Sequence, residues 1–165
     1  MFSAQAMQEI EAELAKYPPE RKRAGLLATL RIAQREKGWL SEETMRHVAQ
    51  LLGLRPIEVL EVATFYSMYD TKPVGRRKIC LCTNVSCMLR GSDQVVEHLK
   101  KKLGVDLGGT TADGKYTLKE VECLAACGGA PCMQVGDRYY ENLTPERVDE
   151  ILAELEQAGP EKQSA

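Results

Sequence analysis

The sequence predicts an α+β protein in two parts, a helical bundle over residues 1–72 and an α/β domain over residues 73–165. Three observations carry that division. Through the first part, apolar residues recur at three- and four-residue spacing, the period of helices packed on one face. From Lys78 onward, short apolar runs of strand length alternate with amphipathic stretches. Between the two, Thr71-Lys-Pro-Val-Gly-Arg-Arg-Lys78 combines turn residues with positive charge, the composition of a linker.

Met7, Ile10 and Leu14 form the stripe of a helix over 4–16, which Tyr17-Pro18-Pro19 ends. Pro19 suits the first turn of a second helix over about 19–37, with Glu20 at its positive end. Leu26, Leu30 and Ala33 line its buried face, and Gly38 stops it. The basic run Arg21-Lys22-Arg23 reads as a solvated face. Ser41 caps a third helix with Glu42 and Glu43 in its first turn; Met45, Val48, Ala49 and Leu52 face inward and Gly53 closes it. Pro56 opens a fourth through Tyr66, with Val59, Val62, Ala63 and Tyr66 on one face.

Helices three and four also carry the spacing of a DNA-binding helix-turn-helix, at Ala49, Gly53 and Val59. The second helix argues against that use. Pro56–Tyr66 offers no Arg, Lys, Asn or Gln, and it carries Glu58 and Glu61, the wrong charge for phosphate and the wrong donors for base edges.

In the second part, Lys78–Cys82 reads as a buried strand. Met88–Leu103 reads as one helix with Leu89, Val95, Val96, Leu99 and Leu103 inward, ending at Gly104. A loop containing Gly108-Gly109 leads to a strand of mixed exposure over Tyr116–Glu122. Cys132–Val135 and Arg138–Glu141 flank Gly136-Asp137, a hairpin signal. Thr144-Pro145-Glu146 starts a last helix that buries Val148, Ile151, Leu152 and Leu155. The tail after Gly159 is expected to fray. The order β-α-β-β-β-α fits an α/β sandwich of the thioredoxin-like kind, with cysteine-bearing loops following the first and second strands.

Those two loops hold the chemistry. All six cysteines lie between Cys80 and Cys132, and two pairs stand out, Cys82-x4-Cys87 and Cys123-x3-Cys127. Four thiolates with no histidine nearby suit tetrahedral zinc or an iron–sulfur cluster. Neither pair has the tight C-x2-C spacing favoured by zinc knuckles, which tips the balance towards iron. A disulfide framework belongs to short secreted domains, and this chain is neither short nor marked for secretion. Gly91, Gly128, Gly129, Ser86, Ala125, Ala126 and Ala130 are small enough to let backbone amides approach cluster sulfurs.

At these residues the chain resembles a known family. Cys82-Thr-Asn-Val-Ser-Cys87-Met-Leu-Arg90-Gly91 with Glu122-Cys123-Leu-Ala-Ala-Cys127-Gly-Gly-Ala-Pro131 is similar to the thioredoxin-like [2Fe–2S] ferredoxins. The nearer match is the 24 kDa subunit family of respiratory NADH:quinone oxidoreductase (complex I), and the likeness covers nearly the whole chain. The family also supplies subunits to NAD-linked hydrogenases and formate dehydrogenases. The resemblance implies one [2Fe–2S] cluster on Cys82, Cys87, Cys123 and Cys127, with Cys80 and Cys132 outside the set and no catalytic residue on this chain. It implies electron exchange with flavin mononucleotide (FMN) in a neighbouring NADH-oxidising flavoprotein subunit, other peripheral-arm subunits as further partners, and docking through the helical bundle.

The remaining inventory narrows the function. A net charge of −2 gives no reason to expect nucleic-acid binding. There is no run of 18 apolar residues to span a membrane. The N-terminus lacks the order of a signal peptide, so the expected place is the cytoplasm, peripheral on the inner membrane's cytoplasmic face through the complex. No glycine fingerprint follows a strand in a βαβ unit, so this chain is not expected to bind NAD or flavin itself, and the resemblance implies that FMN and NADH belong to the partner. His47 and His98 read as solvated, Cys80 and Cys132 as small buried hydrophobes, and Trp39 as a core or interface aromatic. Arg90 reads equally as a donor near the cluster or as a surface cation.

Overall fold

A computed structural model describes residues 1–158. The chain divides into two compact units, one over Met1–Pro73 and one from Val74 onward.

The first unit is helical throughout. Helix α1 (Ala4–Leu14) is capped by Ser3, whose side chain accepts from the Ala6 amide, and buries Ala6 and Ile10. The expected second helix is two pieces. Pro19–Gly25 is a 3₁₀ stretch with Arg21 outside helical geometry, and α2 (Leu26–Lys37) begins only after it. The kink is at Arg21, φ −117° and ψ 29°, and Gly25, packed against the Leu14 side chain, precedes the regular helix. Helix α3 (Glu42–Leu52) starts and stops as expected, with Ser41 accepting from the Thr44 amide and Gly53 left-handed at φ 67°. Helix α4 (Pro56–Phe65) is shorter than expected by one residue, because Tyr66 is extended and more than a third exposed. Glu58 accepts from the Arg55 amide at its start and pairs with Arg23 at 2.8 Å.

Leu30, Ala33, Leu40, Val48, Val59 and Ala63 form the core of this unit. A buried glutamine holds its last segment. Gln34 donates to the Met68 carbonyl at 3.0 Å and accepts the Asp70 amide at 2.7 Å, so both ends of its amide are satisfied. Trp39, expected as a core or interface aromatic, is half-buried.

The second unit is built on a four-stranded mixed sheet in the order β2-β1-β3-β4. Strands β1 (Arg77–Cys82) and β2 (Tyr116–Val121) are parallel neighbours, in register from Arg77↔Tyr116 to Cys82↔Val121. Strands β3 (Met133–Val135) and β4 (Arg138–Tyr140) extend the sheet antiparallel on the other side of β1. Two helices of the β1–β2 crossover, α5 (Val85–Leu89) and α6 (Ser92–Leu103), replace the single helix expected over Met88–Leu103. The break is at Gly91, left-handed at φ 93°, and it turns Leu89 outward to 77% exposure, against its expected inward place. Helix α7 (Pro145–Gln157) is capped by Thr144 and buries the four residues read from the sequence. The expectation for the tail after Gly159 falls outside the described residues.

The core of this unit gathers Ile79 and Leu81 of β1, Leu118 of β2, Met133 and Val135 of β3, Val95 and Leu99 of α6, and Ile151 and Leu155 of α7. Backbone approach is tight at its edge: Gly75 donates to Thr117 Oγ1 at 2.7 Å, and a Cβ there would meet the Tyr116 backbone at 2.8 Å. His98 is not solvated as expected; its ring pairs with Asp149 at 2.9 Å and ties α6 to α7.

Candidate metal centre

The parallel pairing of β1 with β2 decides where the cysteines go. Both strands end at the same edge of the sheet, with Cys82 opposite Val121, so the loops that follow them leave side by side. The link continues past the strands. Cys82 Sγ lies 3.7 Å from the Glu122 carbonyl oxygen, one residue before Cys123, and the Thr83 hydroxyl donates to Glu120 at 2.6 Å.

The first loop is part of the folded scaffold. Cys82 is the last residue of β1 and Cys87 lies in α5, and the two are 2% and 1% exposed. Asn84 caps α5, its side chain accepting the Val85 amide at 2.8 Å. The second loop is different. Cys123 and Cys127 are both exposed. Between them Ala125 takes a left-handed conformation, φ 57°, that aims its amide at Cys123 Sγ, 3.3 Å away. Cys127 opens a 3₁₀ turn through Gly129, and the Ala130–Pro131 peptide is cis. Gly129 accepts the Asn142 amide at 2.6 Å, and a Cβ on it would meet the Glu141 side chain at 2.2–2.6 Å.

Cys132 takes a position that no sequence pattern foretells. Its Sγ, with those of Cys82 and Cys87, forms a group whose members all lie within 4.8 Å of one another, and the Cys82 amide donates to the Cys132 carbonyl at 3.1 Å. Cys123 and Cys127 are not in that group. Cys132 is buried as expected, but among thiols rather than in the apolar core, while Cys80 is only half-buried. No signal local to Cys132 would have revealed this, because the β1–β3 register brings it there.

The three thiols do not titrate alike. Burial pushes Cys82 upward, but amides of Asn84 and Leu124 and the neighbouring thiols outweigh it and hold Cys82 below the usual thiol range. Burial and the Cys82 side chain push Cys87 up, and burial with the charge of Cys87 pushes Cys132 up to about 12. Cys82 is therefore the sulfur best prepared to be a thiolate, and Cys132 the least.

Comparison with known proteins gives the family. The thioredoxin-like [2Fe–2S] ferredoxin profile matches residues 10–156. The chain belongs to that family. Among its relatives, the E 2 subunit of the NADH-quinone oxidoreductase of Rhizobium meliloti (strain 1021) is 48% identical over 88% of this chain and 85% of its own length. The E-type subunit of the NADH-quinone oxidoreductase of Rickettsia bellii (strain RML369-C) is 43% identical over 93% of each. The fold also matches part of an NAD+-reducing [NiFe]-hydrogenase in the H2-reduced state, with TM-score 0.72 and 24% identity over 82% of this chain, which spans 23% of that one.

The residues present fit the cluster of this family. Paired thiols stand on two adjacent loops, and amides are already aimed at sulfur, from Asn84 and Leu124 to Cys82 and from Ala125 to Cys123. Such N–H···S contacts offset the negative charge of a thiolate-ligated centre. Arg90 is exposed, which favours its surface role.

Proposed function

We propose that this chain is the electron-transfer subunit of an NADH:quinone oxidoreductase, holding one [2Fe–2S] cluster on Cys82, Cys87, Cys123 and Cys127. The observation that carries the assignment is the shared strand edge, from which both cysteine loops leave side by side. The cluster supplies a one-electron store and no more. The chain's own residues do the rest. Cys82 and Cys87 anchor one side from β1 and α5, while amides of Asn84, Leu124 and Ala125 offset charge at the sulfurs. Leu124, Ala126 and Ala130 wall the site with apolar surface and limit water at it.

The electrons are exchanged with FMN in a neighbouring flavoprotein subunit that oxidises NADH, and the helical unit over residues 1–72 docks the chain on that partner. The names and high coverage of the curated relatives support this assembly over the equivalent diaphorase subunit of a hydrogenase or formate dehydrogenase. No helix among the described residues is long and apolar enough to cross a membrane, so attachment at the cytoplasmic face would run through the complex.

Anaerobic purification followed by iron and acid-labile sulfide analysis tests the cofactor; about two of each per chain are expected. Dithionite should bleach the visible bands and produce a reduced-state EPR signal, which Cys127→Ala should abolish. Zinc without sulfide would overturn the proposal. Co-purification with a flavin-containing, NADH-oxidising subunit tests the assembly.

A further inference from the structure

Cys132 is a thiol that the proposed ligand set leaves unused, yet it is 1% exposed and placed among sulfurs. Its Sγ lies 3.9 Å from that of Cys87, and all three sulfurs of Cys82, Cys87 and Cys132 lie within 4.8 Å of one another. In a tetrahedral site with metal–sulfur bonds of about 2.3 Å, two sulfurs stand about 3.8 Å apart. Cys87 and Cys132 already stand at that separation, and Cys82 lies within 4.8 Å of both.

Each member is fixed by a different part of the sheet unit: Cys82 by the end of β1, Cys87 by α5, and Cys132 by the segment entering β3. The hydrogen bond from the Cys82 amide to the Cys132 carbonyl locks the first and last of these together at 3.1 Å. Leu124, Ala126 and Ala130 pack around the trio. Cys123 and Cys127, exposed on the second loop, are outside it.

We propose that the cluster-free chain binds one thiophilic divalent cation, of the zinc or ferrous class, through Cys82, Cys87 and Cys132. Binding releases three thiol protons and leaves three thiolates around a 2+ ion, with a net charge of −1 and a fourth position for water. Because Cys82 and Cys87 serve both this site and the proposed cluster, the two occupants exclude each other. The ion rests on the cluster ligand set only for that competition, and its binding can be tested without a cluster.

The test uses the full chain, reduced and free of cluster, titrated anaerobically with Cd2+ as the probe and read by its thiolate charge-transfer absorption. One equivalent should bind, and X-ray absorption should count three sulfurs; four would overturn the proposal. Cys132→Ser should weaken binding by more than about tenfold. Alkylating the exposed Cys123 and Cys127 of the unmodified sequence beforehand should leave the affinity within about threefold. Loss of cadmium on that alkylation, or wild-type affinity in folded Cys132→Ser, would likewise overturn it. Reconstituting Cys132→Ser with iron and sulfide in parallel separates the two assignments. A normal cluster there upholds the four-cysteine set whatever cadmium does, and bound Cd2+ must then block reconstitution of the wild-type chain.

Discussion

The two cysteine loops leave the same sheet edge but are held by different means. Cys82 and Cys87 are built into a strand and a helix and are almost wholly buried, whereas Cys123 and Cys127 stand exposed on a loop shaped by backbone turns. Half of the proposed ligand set is thus organised by the hydrophobic core, and half by local conformation at Ala125 and Gly129. A site made this way can keep two sulfurs in fixed places while the other two stay near solvent for loading.

The strongest test of that contrast is loss of a thiol from each loop. Cys87→Ser and Cys127→Ser should both abolish the reduced EPR signal. Only Cys87→Ser should also destabilise the cluster-free chain, by about 1–3 kcal/mol, because it places a hydroxyl in a buried, thiol-lined pocket. Cys127→Ser should stay within about 0.5 kcal/mol in denaturant titration. Equal stability losses in the two variants would break the comparison.

Next comes the support beneath the first loop. Leu81, fully buried beside Cys82, should cost about 2–5 kcal/mol when changed to Ala, as core truncations do. Its chemical unfolding midpoint should fall accordingly, and iron retention should fall with it.

Gly129→Ala sharpens the opposite half. A Cβ there collides with Glu141, including its Cβ at 2.6 Å, so the chain itself must shift and the hydrogen bond from Asn142 must loosen. A cost of about 1–3 kcal/mol is expected even though Cys123 and Cys127 of the same loop are exposed. A wild-type unfolding midpoint would show that the second loop is not fixed by its turn.

The smallest effect lies in the brace behind the first loop, where α6 is tied to α7. Hydrogen bonds from His98 and then Lys102 hold the Asp149 carboxyl below its ordinary value of 3.8. A lowered carboxyl contributes stability above its unfolded pKa and loses it as pH falls through the lower folded one. Asp149→Asn should therefore lower the melting temperature slightly at pH 7 and not at all near pH 2. A deficit that persists in acid would exclude this origin.

Much of the molecule is local enough to read from sequence. Ser41 with Gly53, and Thr144 with Pro145, mark their helices because caps and left-handed stops act within a few residues. The paired cysteine spacings reveal the chemistry for the same reason. The misreadings share another cause. The break at Gly91, which exposes Leu89, and the kink at Arg21 before α2 interrupt stretches whose periodicity is continuous. Packing and backbone turns decide such breaks, and periodicity does not record them.

The order of elements, helical and then mixed, is written in the amino-acid pattern alone, as are the strands that lead into the cysteine loops and the thiol-rich character of the centre. Which thiols meet is settled by the folded chain. The parallel β1–β2 register sets the two loops side by side, and the antiparallel β1–β3 register brings Cys132 to Cys82 and Cys87. Strand register depends on pairing between segments far apart in the chain, and the spacing of residues along one segment holds no record of it.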